Sequence, residues 1–335
     1  MDEMQKEKIT ILDVAEALGV SKTTVSRAIS GKGRIGAETR EKVLRYINEH
    51  NYTPSAIAKG LAQSRTFNVS WVVPGDYSIA ELPFFQNCLL GISDVASEME
   101  YDIIISMVNN QDISQLKRAI ANHKIDGAIL GRTLKNDASA QFLKESNIPF
   151  VAIGLSEIEN VIQIDNDHLG GCKELTSLLV LKGCKNIGVI GGNSSHMVTQ
   201  KRLSGYMEGL LDTGVAYNSD MVYLDIEGQA RTEKIVEELL NKKADCIICM
   251  DDSLCSYALS KLKQMQVKIP EDIKLASFYD SAMLDLSSPT VTTLKFDAIE
   301  LGREAFKLLY EKIEGREVEE KTLLGYDIVL KESTK

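Results

Sequence analysis

No run of about 18 apolar residues interrupts this chain, and its opening MDEMQKEK carries no apolar secretory segment. These absences argue against a helical membrane span and an export signal, so a cytoplasmic protein is expected. The four histidines, His50, His123, His168 and His196, share no metal-ligand or catalytic spacing. Cys246 and Cys249 have a zinc-like CxxC spacing, but they lie in the strand-like run DCIICM. Alternation points them to opposite faces, and no second Cys or His pair follows, so buried reduced thiols are the reading. There is no phosphate-binding P-loop and no glycine-framed nucleophile, and the glycines of GVIGGN do not fit the spaced dinucleotide fingerprint. The adjacent carboxylates Asp251 and Asp252 precede a helix, where one of them serves as an N-cap. No cofactor, no metal and no catalysis are expected.

What is present begins with charge. The 335 residues carry a formal net charge of −10, which taken alone argues against nucleic acid. Residues 1–65 reverse that, with 11 Lys and Arg against 8 Asp and Glu, a net +3; the remainder has 27 against 40, a net −13. A mildly basic head on an acidic body suits a DNA contact confined to the head. The length itself predicts more than one domain.

The stretch Ile9–Ile29, ITILDVAEALGVSKTTVSRAI, reads as two short helices joined by a sharp turn. Thr10 and Ser21 are N-cap residues for the two helices, Gly19 supplies the left-handed conformation of the turn, and small Ala15 lets the second helix cross closely. Val25 anchors helix two on helix one, which leaves Lys22, Thr23, Ser26 and Arg27 outside, where a helix-turn-helix meets the major groove. A third helix over about 37–50 closes the head with Val43, Leu44 and Ile47. The segment Tyr52–Thr66 then suggests a marginal helix with a small-residue face, able to order only when docked.

From Phe67 the period changes. Strand-like runs (FNVSWVVP, YDIIISMV, DGAILG, PFVAIG, VIQID, NIGVIGG, MVYLD, DCIICM, KLASFYD, TVTTL, LLGYDIVL) alternate with amphipathic helical stretches. Near-continuous apolar strands separated by helices predict parallel sheets covered on both faces. The fold class expected is α/β: a three-helix helix-turn-helix head plus a two-lobed body, with a ligand cleft at the strand carboxyl ends. The expected divisions are a head at 1–51, a hinge helix or linker at 52–66 and a body at 67–335. Within the body, lobe 1 covers about 67–160 and 292–322, and lobe 2 about 161–291 and 323–335.

The chain resembles the LacI/GalR family of bacterial transcription regulators. The resemblance rests on TILDVAEALGVSKTTVSR, ETREKV and YTPSAIAKGL in the head and linker, and on PFF, DGAIL, IDND, NIGVIGG, RLSGY, IPEDI and SPTVTTL in the body. It implies a body similar to periplasmic sugar-binding proteins, with three strands crossing between the lobes. It also implies that Lys22, Thr23 and Arg27 read base edges, while hydroxyls of Ser21, Thr24, Ser26 and Thr39 hold phosphates. Thr10, Ser55 and Ala58 complete the residues it places against DNA, and Leu61 falls where the family wedges an apolar side chain into the minor groove. Ser55, Gly36 and Lys59 depart from the usual asparagine, serine and arginine.

For the cleft, the resemblance implies Phe84 and Phe85 as apolar rings against an effector, with Arg202 bonding its hydroxyls or carboxylates. Asp251 keeps acceptors where asparagine is common, and Tyr279 replaces the first of two adjacent acids. The implied protein is a repressor acting as a homodimer on operator DNA, controlled by a small-molecule effector, with a sugar or sugar derivative foremost. Control by a protein corepressor and a solute sensor without DNA function stand as alternatives. No leucine heptads follow the last strand, so a dimer is expected over a tetramer.

Overall fold

In a computed structural model the structure describes residues 9–30, 33–50, 52, 60, 63–76 and 83–335. The chain divides into two compact units, Met1–Thr66 and Phe67–Lys335. Ser55, Ala58 and Leu61, and with them most of the expected linker helix, lie outside the described residues.

The first unit holds α1 (Ile11–Leu18), α2 (Lys22–Ser30) and α3 (Ala37–Glu49). Thr10 starts α1 through a reciprocal capping box: its Oγ1 accepts from Asp13 N–H at 3.4 Å, and its own N–H donates to Asp13 Oδ2 at 2.7 Å. The Thr10 hydroxyl, which also donates to Asp13 Oδ2 at 2.7 Å, and the Thr10 N–H favour the charged carboxylate and hold Asp13 below its ordinary pKa. Gly19 ends the helix at φ 64°, and the Val20 N–H reaches back to Ala15 O at 3.0 Å, the hydrogen bonding of a left-handed C-cap. Ser21 then caps α2, accepting the Thr24 N–H at 3.1 Å. Gly36 begins α3 with no side-chain cap, the local consequence of glycine at that position. Val14, Ala15, Val25, Ala28 and Val43 form the small core, and Tyr52 is buried with them.

The second unit contains two six-stranded sheets. The first has the order β11-β5-β4-β3-β1-β2, with β1 (Asn68–Pro74), β2 (Asp102–Val108), β3 (Gly127–Leu130), β4 (Phe150–Ile153), β5 (Ile162–Asn166) and β11 (Lys321–Leu324). All its pairings are parallel. Alternation sorts its side chains. Val69, Trp71, Ile129, Ile162 and Ile164 face α4 (Pro83–Glu98) and α12 (Ala298–Ile313). Val72, Ala128, Leu130 and Ala152 face α5 (Ser114–Ala121) and α6 (Ala138–Glu145).

The second sheet runs β12-β10-β9-β8-β6-β7, with β6 (Ile187–Ile190), β7 (Val222–Tyr223), β8 (Cys246–Cys249), β9 (Lys274–Ser277), β10 (Thr292–Lys295) and β12 (Asp327–Val329). Only β12 is antiparallel to its neighbour. One face packs on α7 (His168–Leu181) and α8 (Met197–Asp212), the other on α9 (Gly228–Asn241) and α10 (Asp252–Gln264). A single-turn helix, α11 (Ala282–Asp285), follows β9. Cys246 lies in the α7/α8 layer and Cys249 in the α9/α10 layer, one on each face of β8. All six cysteines are free and buried.

The three crossings between lobes fall later than expected. β5 pairs with β4 and β11 in the first sheet, so the chain leaves lobe 1 between Asn166 and His168 rather than near residue 160. β10 belongs to the second sheet, and the return lies between Lys295 and Ala298 rather than near 292. LLGYDIVL, read as one strand, is two. β11 ends at Leu324 and β12 begins at Asp327 in the other sheet, with Gly325 and Tyr326 crossing between. A two-residue crossing has no room for a turn signal, which is why the run looks continuous.

Candidate functional site

The exposed surface of α2 forms one face. Val25 and Ala28 are fully buried, so Lys22, Thr23, Ser26 and Arg27, on the opposite side of a 3.6-residue turn, project into solvent. Thr24 is partly buried, its Oγ1 2.8 Å from the Ser21 hydroxyl. Arg27 runs along Gly33, where an added Cβ would meet the guanidinium stem at 3.2 Å. Thr39 is partly buried near the start of α3. Thr10 is exposed, but its hydroxyl is already engaged with Asp13 at 2.7 Å. The face offers two cations and a row of hydroxyls on one helix end, a donor set for phosphates and base edges.

The second candidate lies where the two lobes of the body meet. Phe84, in the first turn of α4, touches Tyr279 of lobe 2, just past β9, with ring centroids 6.2 Å apart and nearly perpendicular. The Arg202 guanidinium lies 5.8 Å from the centre of the same tyrosine ring, and its Nη1 donates to the Met250 carbonyl oxygen. Phe85 departs from the others: its ring packs on Phe84 at 5.3 Å and toward the buried Trp71 at 6.4 Å, in the core of lobe 1. Asp251 caps α10, its Oδ1 accepting from Leu254 N–H at 2.8 Å. Burial pushes its carboxyl up, with Arg202 pulling the other way, and burial raises the Tyr279 phenol as well.

Sequence reasoning singled out the run IDND only as a landmark, yet this part of the structure is the most unusual electrostatically. Asp165, Asn166 and His168 are all at least nine-tenths buried at the carboxyl end of β5 and the start of α7. His168 Nε2 is 3.5 Å from Asp165 Oδ1. Burial raises Asp165 from 3.8 to about 7, and burial followed by the Arg202 charge holds His168 well below its ordinary value. Both groups are driven toward neutrality, because burial charges each ion more than the pair returns. His168 Nδ1, both side-chain amide atoms of Asn166 and Arg202 Nε are buried without partners. The available signal was the polar run DNDH over residues 165–168, directly after the alternating Ile162, Gln163 and Ile164.

These shifts have opposite signs in stability. The folded chain keeps a proton on Asp165 that the unfolded chain releases, so this contribution declines as pH rises from about 4 to about 7. His168 is neutral when folded, so its contribution declines as pH falls below 6.5, where the unfolded imidazole charges. Asp165→Asn, which keeps an acceptor oxygen, is expected to raise the melting temperature by about 2–4 °C at pH 8 and by less at pH 5. An equal gain at both pH values, measured by differential scanning calorimetry, would show that Asp165 is not held neutral.

Opposite the crossings the lobes are joined by backbone. Lys135 N–H donates to Ser195 O at 3.0 Å and Met197 N–H to Thr133 O at 3.2 Å, with Leu134 and His196 forming an antiparallel bridge. Among the described residues no group of three or more His, Cys, Asp or Glu could hold a metal ion, and no helix is long and apolar enough to cross a membrane.

Two family profiles match the chain: "Bacterial regulatory proteins, lacI family" over residues 10–55 and "Periplasmic binding protein-like domain" over 176–334. The HTH-type transcriptional regulator CelR of Thermobifida fusca is 29% identical over 326 residues, covering 94% of this chain and 95% of its own. The structure of a CelR–cellobiose complex superposes with a TM-score of 0.73 at 27% identity, covering 97% of this chain and 99% of that one. A lac repressor dimer bound to operator and an anti-inducer shares the fold, with a TM-score of 0.81 at 23% identity over 98% and 99% of the two chains.

Proposed function

Because the chain belongs to the LacI/GalR family of bacterial transcription regulators, we propose that it represses transcription as a cytoplasmic homodimer whose hold on operator DNA is set by a small molecule bound between its lobes. The observation that carries this reading is the solvent-facing row Lys22, Thr23, Ser26 and Arg27, seated on a head core through Val25 and joined to a two-lobed sensor body. In a dimer two such faces would enter successive major grooves roughly 34–36 Å apart. Leu61 of each chain would enter the minor groove between them and bend the duplex. The CelR complex with cellobiose supports a carbohydrate as effector. Phe84 and Tyr279 touch across the two lobes and Arg202 lies over the same tyrosine ring, which supports these three as the groups that feel it. Closing the lobes on a ligand would change the spacing of the two linkers, and operator affinity follows as a population shift.

Footprinting on genomic fragments, followed by titration of the recovered site, tests the reading. Arg27→Ala should lose about 1–3 kcal/mol of operator affinity and relax selection at one base pair. Leu61→Ala should weaken operator binding strongly while leaving the body's ligand binding intact. A protein that footprints no discrete site, or an Arg27→Ala variant with unchanged affinity and selectivity, overturns the assignment of the face.

A further inference from the structure

One shielded cation joins the loop that carries Tyr279 to the strands that cross between the lobes. Lys331 follows β12, and only 13% of its side chain is exposed. Its ammonium donates to three acceptors: Asp280 Oδ1 at 2.8 Å, Asp285 Oδ1 at 2.6 Å and Thr293 Oγ1 at 3.1 Å. That uses every donor the group has. Thr293 in turn donates to Asp280 Oδ1 at 2.6 Å. Burial would lower the pKa of the ammonium, but the bonds to Asp280 and Asp285 outweigh it and hold the group above its ordinary value. The cluster is a charged brace.

Four elements meet at this nitrogen. Asp280 adjoins Tyr279 in the loop after β9, and Asp285 belongs to α11, into which that loop leads. Thr293 lies in β10, just before the chain crosses to lobe 1. Lys331 lies just beyond β12, which the chain enters on crossing back. β10 and β12 are themselves paired, with Thr293 opposite Val329. Within the loop, Ser277 Oγ donates to the Tyr279 carbonyl oxygen at 2.7 Å and accepts its N–H at 3.2 Å. Those bonds shape the loop locally without attaching it to either crossing strand. The backbone of Lys331 has supports of its own. Its N–H donates to Thr292 Oγ1 at 2.9 Å, and Ser333 Oγ donates to the Leu275 carbonyl oxygen at 2.6 Å. Removing the ammonium therefore frees the loop and leaves the segment after β12 seated.

Resting on the proposed effector site, we infer that Lys331 is a positioning residue for effector control: it fixes the Tyr279 loop and α11 to β10 and β12, so that a push on Tyr279 turns the crossing strands instead of bending the loop. It acts through Tyr279 rather than by contact with the ligand. A loop without this tie yields to the ligand, and the two lobe arrangements then differ less in their affinity for it. That difference is the quantity that sets coupling.

Hydrogen exchange read by mass spectrometry, together with operator titration, tests this on the full chain. Lys331→Met keeps the length and removes the charge, while Lys331→Arg keeps a cation. In the ligand-free protein Lys331→Met should speed amide exchange at least ~10-fold over residues 284–286, whose N–H groups bond back to Ser281 and Ala282, with β4 and β5 unchanged. Cellobiose and maltose serve as probes at the footprinted operator. The ratio of operator affinities without and with saturating sugar should fall at least ~5-fold in Lys331→Met. Lys331→Arg should recover most of both effects. A merely structural lysine would give a lower melting temperature with that ratio and the exchange of 284–286 unchanged, or faster exchange spread through both lobes; either overturns the inference. So does a Lys331→Arg variant that behaves like Lys331→Met. If the sugars release operator equally from parent and Lys331→Met, only the brace falls and the effector site stands. If neither sugar releases operator from the parent chain, the proposed carbohydrate effector falls, and the exchange pattern decides whether Lys331 holds the loop.

Discussion

Protein carrying Leu134→Cys and His196→Cys, once oxidised, should show one operator affinity at every effector concentration, and dithiothreitol should restore the response. The two positions face each other in an antiparallel bridge between the lobes, flanked by the Lys135–Ser195 and Met197–Thr133 backbone bonds. Residues so opposed have Cα atoms about 4.5–5.5 Å apart, inside the roughly 4.4–6.8 Å range that a disulfide bridges. The bridge joins the loop after β3 to the start of α8, away from the edge where β5, β10 and β11 hand the chain between lobes. Hinge on one side and cross-link on the other leave the lobes no freedom to rotate. Since an effector acts only through a difference in its affinity for two arrangements, a chain locked in one arrangement has a coupling factor of 1. The six native cysteines are buried, so the new pair is the oxidisable one. A cross-linked protein that still releases operator on effector addition would show that the signal bypasses lobe movement.

The parts of this architecture that local chemistry dictates were legible in the chain. Thr10, Ser21 and Gly19 announce the ends of α1 and the start of α2, and the structure places each in that role because caps depend only on residues within one turn. The alternation of apolar runs with amphipathic stretches gave the layered sheets, since burial on both faces imposes it. What depends on distant partners was not legible. VIQID has the same apolar pattern whichever sheet it joins, and only pairing with β4 and β11 assigns it to lobe 1. Arg202 was identifiable from the resemblance. The neutral pair of Asp165 and His168 was not, because charges that normally mark a surface are here buried by helices more than thirty residues away in sequence. Phe85 illustrates the converse: adjacent identical rings look equivalent in sequence, but a helix turns them about 100° apart, so one reaches Tyr279 of the other lobe and the other turns toward Trp71.

The helix that presents Phe84 is held by a contact that sequence patterns do not reveal. Gly91 of α4 and Gly302 of α12 face each other across the helix pair: a Cβ on Gly91 would overlap the Ile299 carbonyl, and one on Gly302 would overlap the Cys88 carbonyl. In both cases the obstruction is backbone, which side-chain repacking does not relieve. Backbones this close gain contact along the whole pair and support Cα–H···O interactions. They also fix where the first turn of α4 sits relative to Tyr279. Gly302→Ala is therefore expected to destabilise the body by about 1–3 kcal/mol, the usual cost of inserting a methyl into a filled interior. Calorimetric melting measures that loss. The same variant should bind effector more weakly although Gly302 abuts the Cys88 backbone rather than Phe84 or Tyr279, because α4 must shift to admit the methyl and Phe84 moves with it. Replacing Gly36, where an added Cβ would meet Thr39 Oγ1 at an ordinary 3.7 Å and which stands as the bare cap of α3, by serine provides the contrast. That change should leave the body's melting and effector binding untouched. If Gly302→Ala melted and bound effector like the parent chain, the helices would have slack that the observed packing denies, and the position of Phe84 would have to be fixed by something other than this contact.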